Sequence, residues 1–175
     1  DGANFADIDA VASDQSAMDA VAASILARTA ALSSSYAVDT VWSEQYASQR
    51  IWDEGTIDGT GTNTPSWIAP TIDLSNATTL KVDTERESYG DVKVYIDGTN
   101  IFSNGGNHTW TTRSLDVSGY NGEHTIELEW DREYDGTSYS FYSSGTGNGI
   151  AIKFWQSNSD YEDSRYGSFR NLRFE

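Results

Sequence analysis

A ten-residue repeat at the start of the chain constrains its fold more than any other feature. Four similar copies stand at one fixed spacing, beginning at Ile8, Met18, Arg28 and Val38 and closing on Ala17, Ala27, Ala37 and Ala47. One unit buries little more than alanine and valine, so it must stack on neighbouring copies or on other chains to be stable. A unit this small cannot form an active site.

The composition of residues 1–48 favours helix, because the segment is rich in Ala and Ser and has no glycine after Gly2. Three helical turns take about 10.8 residues, so a strict ten-residue period would wind the apolar stripe of a single helix around its axis. Serines that can cap the next unit predict short helices of about two turns, broken at Ser13, Ser24 and Ser33-Ser34. The alternative is one amphipathic helix packed on the chain's own β domain.

From Trp52 onward the chain changes to short alternating runs of apolar and polar residues separated by Gly, Asn, Asp and Thr. We predict nine strands: 67–74, 79–87, 91–96, 100–103, 109–116, 124–133, 138–143, 150–156 and 168–174. Such strands suit two stacked antiparallel sheets, a β-sandwich. The inward faces are read as Leu80/Val82, Val92/Val94/Ile96, Ile126/Leu128/Trp130 and Ile150/Ile152/Phe154. Asp97-Gly98 predicts a tight hairpin.

Charge and composition exclude several classes of function. With 27 acidic and 11 basic residues the net charge is -16, which argues against binding to nucleic acid. The chain has no cysteine, so disulfides, thiol catalysis and cysteine-ligated zinc are absent. No run of residues is apolar enough for membrane insertion, and no secretory signal is recognisable, so an extracellular role implies another export route or a released particle. Motifs of serine hydrolases, zinc proteases and phosphate-binding loops are missing, so we expect no enzymatic activity.

The repeat resembles those in virion proteins of tailed bacteriophages. The form A-M-x-A-V-A-A-S-x-x-A stands at residues 17–27, and the match covers residues 8–47, with Ala31 replacing the central valine of the third copy. The resemblance implies a fibre, tail or head-decoration protein on the surface of a virion. It also implies a homo-oligomer, a trimer being favoured, and contacts with other virion proteins. The expected docking residues are Val11, Met18, Val21, Leu26, Leu32 and Val41.

The order of β segments resembles jelly-roll modules related to carbohydrate-binding and galactose-binding-like domains. The segments are 70–75, 91–98, 110–122, 124–128 and 169–174, and 116–128 is the strongest stretch. Arg170 stands where such modules often have aspartate. The full expectation is an antiparallel jelly-roll β-sandwich at 66–175, a linker at 49–65 and an Ala-rich helical stalk or docking segment at 1–48.

A sugar site needs flat aromatic rings beside short polar side chains. The chain offers such residues near presumed loops at 131–142 and 156–166. The candidate site comprises Tyr134, Tyr139, Tyr142, Trp155, Tyr161, Tyr166, Asp135, Asn158 and Arg165. Tyrosines of this kind also serve as packing residues between strands, which is the alternative explanation.

Two rows of alternating carboxylates raise the question of a metal. The rows are Asp83/Glu85/Glu87 and Glu127/Glu129/Asp131/Glu133. Calcium would relieve their repulsion, but solvated faces of acidic proteins have the same pattern. The resemblance allows a structural calcium ion with unassigned ligands, and we expect no required cofactor.

Two functions follow from these features. The first is a host-attachment or decoration protein whose sandwich binds a cell-surface polysaccharide. The second is a purely structural capsid, neck or tail protein that docks by its repeat and uses the sandwich for protein contacts.

Overall fold

The fold combines a short helical segment with a β-sandwich. The computed structural model describes residues 5–34, 36–37, 56–58, 66–69, 71–86, 90–104, 109–131, 151–158 and 161–175. The helices are α1 (Phe5–Ala12), α2 (Gln15–Ala23) and α3 (Ile25–Leu32). The strands are β1 (Thr56–Asp58), β2 (Ser66–Ile68), β3 (Ile72–Asp73), β4 (Thr79–Arg86), β5 (Asp91–Ile96), β6 (Thr99–Asn104), β7 (Thr111–Asp116), β8 (Glu123–His124), β9 (Ile126–Asp131), β10 (Ala151–Asn158) and β11 (Tyr161–Phe174).

The repeat forms short helices with a cap at each break, as its serines predict. The Ser24 hydroxyl accepts a hydrogen bond from the backbone N–H of Ala27 at 3.3 Å and so begins α3. At the first break the cap is Asp14, which accepts from the N–H of Ala17 at 2.8 Å. Ser13 was the expected cap there, but its hydroxyl instead donates to the carbonyl of Ala10 at the end of α1. The ten-residue period of the sequence therefore matches the spacing of the helix N-caps, Asp14 and Ser24.

The helices pack on the sandwich. Met18 and Leu32 are each 1% exposed and belong to the same buried cluster as the sheet residues. Arg28 is buried at 4% exposure, donates to the carbonyl of Ala22, and reaches the carbonyl of Thr71 at 3.1 Å. Helix α3 contacts β3 and β11. The segment thus combines the short helices of one expectation with the packing on the β domain of the other.

The described strands form three sheets. One has the strand order β1-β2-β9-β5-β6, the second β10-β11-β4-β7, and a two-stranded sheet pairs β3 with β8, all antiparallel. Strands β4 and β11 pack across the sandwich against β5 and β9. The expected class, an antiparallel jelly-roll sandwich preceded by an Ala-rich helical segment, is confirmed.

Alternation predicted the core correctly in three strands. The inward residues of β4, β5 and β9 are at most 1% exposed: Leu80, Val82, Val92, Val94, Ile96, Ile126, Leu128 and Trp130. The fourth set, Ile150/Ile152/Phe154, has side chains outside the described residues. The Asp97-Gly98 hairpin is also confirmed, because both residues have positive φ (49° and 75°) between the paired Ile96 and Thr99.

Some strand boundaries differ from the prediction. The stretch 67–74 is divided between β2 and β3, which belong to different sheets. Pro70 lies between them and has no N–H to continue a ladder. Strand β1 lies within the predicted linker 49–65 and pairs with β2. The predicted strand 138–143 and residues 38–48 of the predicted helical segment lie outside the described residues. No helix in the described part is long and apolar enough to cross a membrane.

Candidate functional site

The outer face of the four-stranded sheet β10-β11-β4-β7 carries a cluster of linked polar side chains. On β4, the residues of this outer face alternate with Leu80, Val82 and Thr84, which face inward. Directly paired residues of antiparallel strands share a face. Arg170 on β11 and Thr112 on β7 both pair with Asp83, so all three belong to the outer face.

Asp83 is the centre of this face. It is 7% exposed, and its two carboxylate oxygens are both used. Oδ1 accepts from the Thr112 hydroxyl at 2.7 Å, and Oδ2 accepts from the Asn171 side-chain amide at 2.8 Å. Oδ2 also lies 3.5 Å from Nε of Arg170. A buried carboxylate with hydrogen-bond partners on both neighbouring strands is held in one position.

Asn171 reaches Asp83 because the strand is irregular at that point. The pairing of β11 with β4 shifts register between Arg170 and Arg173, and Asn171 has φ of 55°. Asparagine is one of the few residues that adopt this left-handed conformation at low cost. The bulge therefore explains both the residue type and the direction of its amide.

An aromatic ring completes the cluster. The guanidinium carbon of Arg170 lies 4.0 Å from the centroid of the Trp110 ring, which precedes β7. The Arg170 side chain is 25% exposed, and its buried Nε has no hydrogen-bond acceptor among the described residues. The guanidinium is thus held between an indole face and a carboxylate, with part of it in solvent. We name Trp110, Arg170, Asp83, Asn171 and Thr112 the stacked-arginine cluster.

Further cations lie on the same face. Lys81 and Arg173 are about a quarter exposed, and Nζ of Lys81 is 2.6 Å from the Glu175 carboxylate. A chain of net charge -16 therefore presents several of its 11 basic residues on one sheet face.

The expected sugar residues are only partly within the described chain. Tyr134, Asp135, Tyr139 and Tyr142 lie outside it. The other five lie in the hairpin of β10 and β11, where Trp155 pairs with Tyr166, Gln156 with Arg165 and Asn158 with Tyr161. The prediction of a loop at 156–166 is therefore wrong, because both strands continue almost to the tip.

Register relates these residues to the stacked-arginine cluster. On β11, positions 165 and 166 precede Arg170 by five and four residues, and positions 156 and 155 of β10 pair with them. The sequence alone did not identify Trp110, Thr112 or Asn171 as site residues. Arg170 had one signal, since it stands where the resembling modules often have aspartate.

The expected docking residues fall into three groups. Met18 and Leu32 are buried inside the chain at 1% exposure, and Val21 is half-buried. Val11 and Leu26 are exposed, at 39% and 73%. Val41 lies outside the described residues.

The acidic rows have internal partners. Asp131 and Glu129 lie 2.6 Å and 3.4 Å from Nζ of Lys93, and Glu129 accepts from the Tyr95 hydroxyl at 2.9 Å. Burial alone would lower the pKa of Lys93, but its hydrogen bond and ion pair with Asp131 outweigh burial and raise the pKa to about 12. Within the described ranges no three acidic, histidine or cysteine side chains are grouped to hold a metal ion. Glu87 and Glu133 lie outside those ranges, so a structural calcium ion stays a prediction.

A second polar contact involves Asp97 in the turn between β5 and β6. Oδ1 of Asp97 accepts from the Thr125 N–H at 2.9 Å, and Oδ2 lies 2.6 Å from Nδ1 of His124. The Thr125 N–H, with help from His124, holds the pKa of Asp97 below its usual value. This pair ties the β5–β6 turn to the strands beside it.

Comparison with known proteins gives loose structural likenesses. No protein-family model matches the chain, and no curated protein matches it. A mutant of a family 29 carbohydrate-binding module is 14% identical, with 64% of this chain and 61% of that chain covered and a TM-score of 0.35. A family 6 carbohydrate-binding module is 16% identical, with 69% and 82% covered and a TM-score of 0.33.

A longer protein gives a likeness of the same order. A glycoside hydrolase family 43 arabinoxylan arabinofuranohydrolase from Bacillus subtilis is 18% identical, with 65% of this chain and 20% of that chain covered and a TM-score of 0.33. The chain thus spans less than two thirds of the family 29 module and a fifth of the arabinofuranohydrolase. Superpositions this loose carry no binding site over to the present chain.

Proposed function

We propose that this protein is a non-catalytic module that binds polysaccharide on the outer face of the sheet β10-β11-β4-β7. The observation that supports the proposal is the stack of Arg170 on Trp110, held by Asp83. A partly exposed guanidinium donates to hydroxyl or carboxylate oxygens, and an indole beside it offers an apolar surface to sugar C–H groups. The face extends across four hydrogen-bonded strands, which gives a chain of sugars room to bind.

The cations of this face favour a polysaccharide that carries carboxylate groups. Lys81, Arg170 and Arg173 lie together on it, while the chain as a whole is strongly acidic. Lys81 and Arg173 lie beside Glu175, and Arg170 lies beside Asp83, so an anionic polymer would compete with these two carboxylates for the cations. It would also be repelled less here than by the rest of a strongly acidic chain. Neutral polymers would gain only the stacking and hydroxyl contacts.

Affinity electrophoresis of the full chain in gels containing neutral or uronic-acid polysaccharides tests this function. The full chain is required because Met18 and Leu32 are part of the buried cluster. We expect retardation by at least one acidic polymer, and a loss of affinity of about tenfold or more in Trp110→Ala and in Arg170→Ala.

A matched control lies on the other face of the same sheet. Arg113 is stacked on the ring of Phe102 at 5.3 Å and bonds to Thr84, whose side of β4 is inward. Arg113→Ala therefore removes a similar stack without touching the proposed surface, and its retardation should match that of the native chain. If no polymer retards a chain shown to be folded by circular dichroism, or if all three variants lose affinity equally, the proposal is wrong.

We further propose that the module acts on a virion surface, in host attachment or decoration. The resemblance of the ten-residue repeat to phage virion proteins supports this role, and many weak sugar sites on one particle would gain strength by avidity. Homotrimer formation stays a prediction, checked by sedimentation equilibrium at low and high salt. The alternative, a purely structural capsid, neck or tail protein, predicts binding to virion proteins and to no polysaccharide.

A further inference from the structure

The helical segment contains a groove that is separate from the outer face of the sheet. Its volume is about 350 Å³, and side chains of all three helices line it. The larger lining residues are apolar: Ile8, Val11, Met18 and Val21. Met18 is 1% exposed and Val11 is 39% exposed, so Met18 lies at the floor of the groove and Val11 at its opening.

The repeat explains why this space exists. Val11, Val21 and Ala31 occupy equivalent positions in three successive copies, and all three line the groove. The third copy therefore has a methyl group where the others have an isopropyl group, and Ala30 beside it is also small. A valine at position 31, as in the other two copies, would fill this space by close packing, and alanine leaves it open.

The surroundings of the groove are acidic. Asp7 lines it, and Asp9, Asp14 and Asp19 are exposed on α1 and α2 or in the turn between them. Arg28 is the only basic residue of positions 1–48, and it is buried and bonded to Ala22 and Thr71. Residues 1–48 carry seven acidic residues against this one basic residue, so the segment is acidic as a whole.

Charge decides which occupant fits. A second copy of this segment would bring carboxylates of equal sign against Asp7 and Asp9, which costs free energy at low salt. A helix that carries lysine or arginine beside an apolar stripe would gain both from the apolar lining and from the acidic surroundings. We propose that the groove binds one basic amphipathic helix of another protein, with its apolar side chains against Ile8, Val11 and Val21.

This proposal does not rest on polysaccharide binding, because the two surfaces share no residue. The probe is a fluorescent synthetic helix of leucine and lysine, titrated into the full chain and followed by anisotropy. A peptide of the same pattern with glutamate for lysine is the charge control. We expect saturable binding of the lysine peptide, weakened at higher salt, and no binding of the glutamate peptide.

Two variants locate the binding site. Ala30→Leu places a larger side chain at a lining position that is exposed, so it fills the groove without disturbing the core. Ala23→Leu makes the same change at an exposed position of α2 that does not line the groove. We expect Ala30→Leu to weaken binding of the lysine peptide by about tenfold or more and Ala23→Leu to leave it unchanged, since one buried leucine of the peptide loses its place.

Three results would overturn the proposal. Equal binding by both leucine variants would show that the peptide attaches elsewhere on the acidic surface. Equal binding of the glutamate peptide would show that charge does not select the occupant. A native chain that dimerises, and that Ala30→Leu converts to a monomer, would assign the groove to a second copy.

Discussion

Replacing Gly167 by alanine tests how closely the two sheets of the sandwich approach each other. Gly167 on β11 faces Trp130 on β9, which is fully buried. A Cβ atom at position 167 would lie 2.6 Å from Cδ1, 2.7 Å from Cγ and 3.0 Å from Cβ of Trp130. Carbon atoms prefer separations of about 3.5–4.0 Å, so the sheets or the indole must move apart by roughly 0.9 Å.

The expected cost follows from that displacement. Overpacking a well-packed core costs about 1–3 kcal/mol. Alanine also restricts the unfolded chain, which offsets about 0.4–1 kcal/mol of that cost. We therefore expect Gly167→Ala to lower the free energy of unfolding by roughly 1–2 kcal/mol, and the Tm by roughly 2–8 °C for a chain of this size.

Urea unfolding followed by tryptophan fluorescence and by circular dichroism measures the change. Gly119→Ala is the matched control, because a Cβ there meets no atom within 4 Å and no left-handed backbone is involved. That variant shares the effect on the unfolded chain and lacks the clash. If the two variants are equally stable, the indole of Trp130 yields at no cost, and the sheets are not held at this distance by packing.

Three other changes test contacts elsewhere. Asp97→Asn keeps the hairpin turn but removes a carboxylate whose pKa is lowered in the folded chain. The carboxylate therefore stabilises the native chain above about pH 4, and this stabilisation is lost as the pH falls below that value. The urea midpoints of the variant and the native chain should differ at about pH 7 and converge near about pH 3. Lys93→Met removes an ammonium group whose pKa is raised from 10.5 to about 12 in the folded chain. The stability that this group contributes is complete below pH 10.5 and is lost as the pH rises towards 12. Unfolding followed by circular dichroism should therefore show this loss in the native chain and not in the variant. Arg28→Met gives the third copy of the repeat the residue of the second copy, but it removes the Arg28 donor from the Thr71 carbonyl. Urea unfolding should show that the free energy of unfolding falls by about 1–3 kcal/mol. An unchanged midpoint would mean that this contact does not hold the helices on the sandwich.

Local patterns were sufficient for much of the fold. Alternation identified the inward faces of β4, β5 and β9, since a strand with one buried face must repeat every second residue. The caps at the breaks of the repeat and the Asp97-Gly98 turn were also readable, because each depends on a few neighbouring residues. Among these caps and turns, only the first cap was predicted wrongly: Ser13 was expected and Asp14 is observed, and both are good capping residues.

The candidate site could not be read in this way. Asn171 and Asp83 are 88 positions apart, and Arg170 meets Trp110 from a different strand. Nothing in the sequence marks Asp83 as buried, because it belongs to a row of carboxylates typical of a solvated face. Its burial follows from the strands on both sides of β4, whose order in the sheet no local pattern determines.

The helix caps, the hairpin turn and the apolar alternation could be read from the order of residues, because these arise from interactions between near neighbours. Long-range packing buries Arg28 against Thr71, although Arg28 stands at the position of the repeat that holds Met18 in the second copy. Long-range pairing of strands also brings Trp110, Arg170 and Asp83 together. Contacts of this kind depend on how distant strands pair and pack, and the free energy that selects one pairing comes from the whole core.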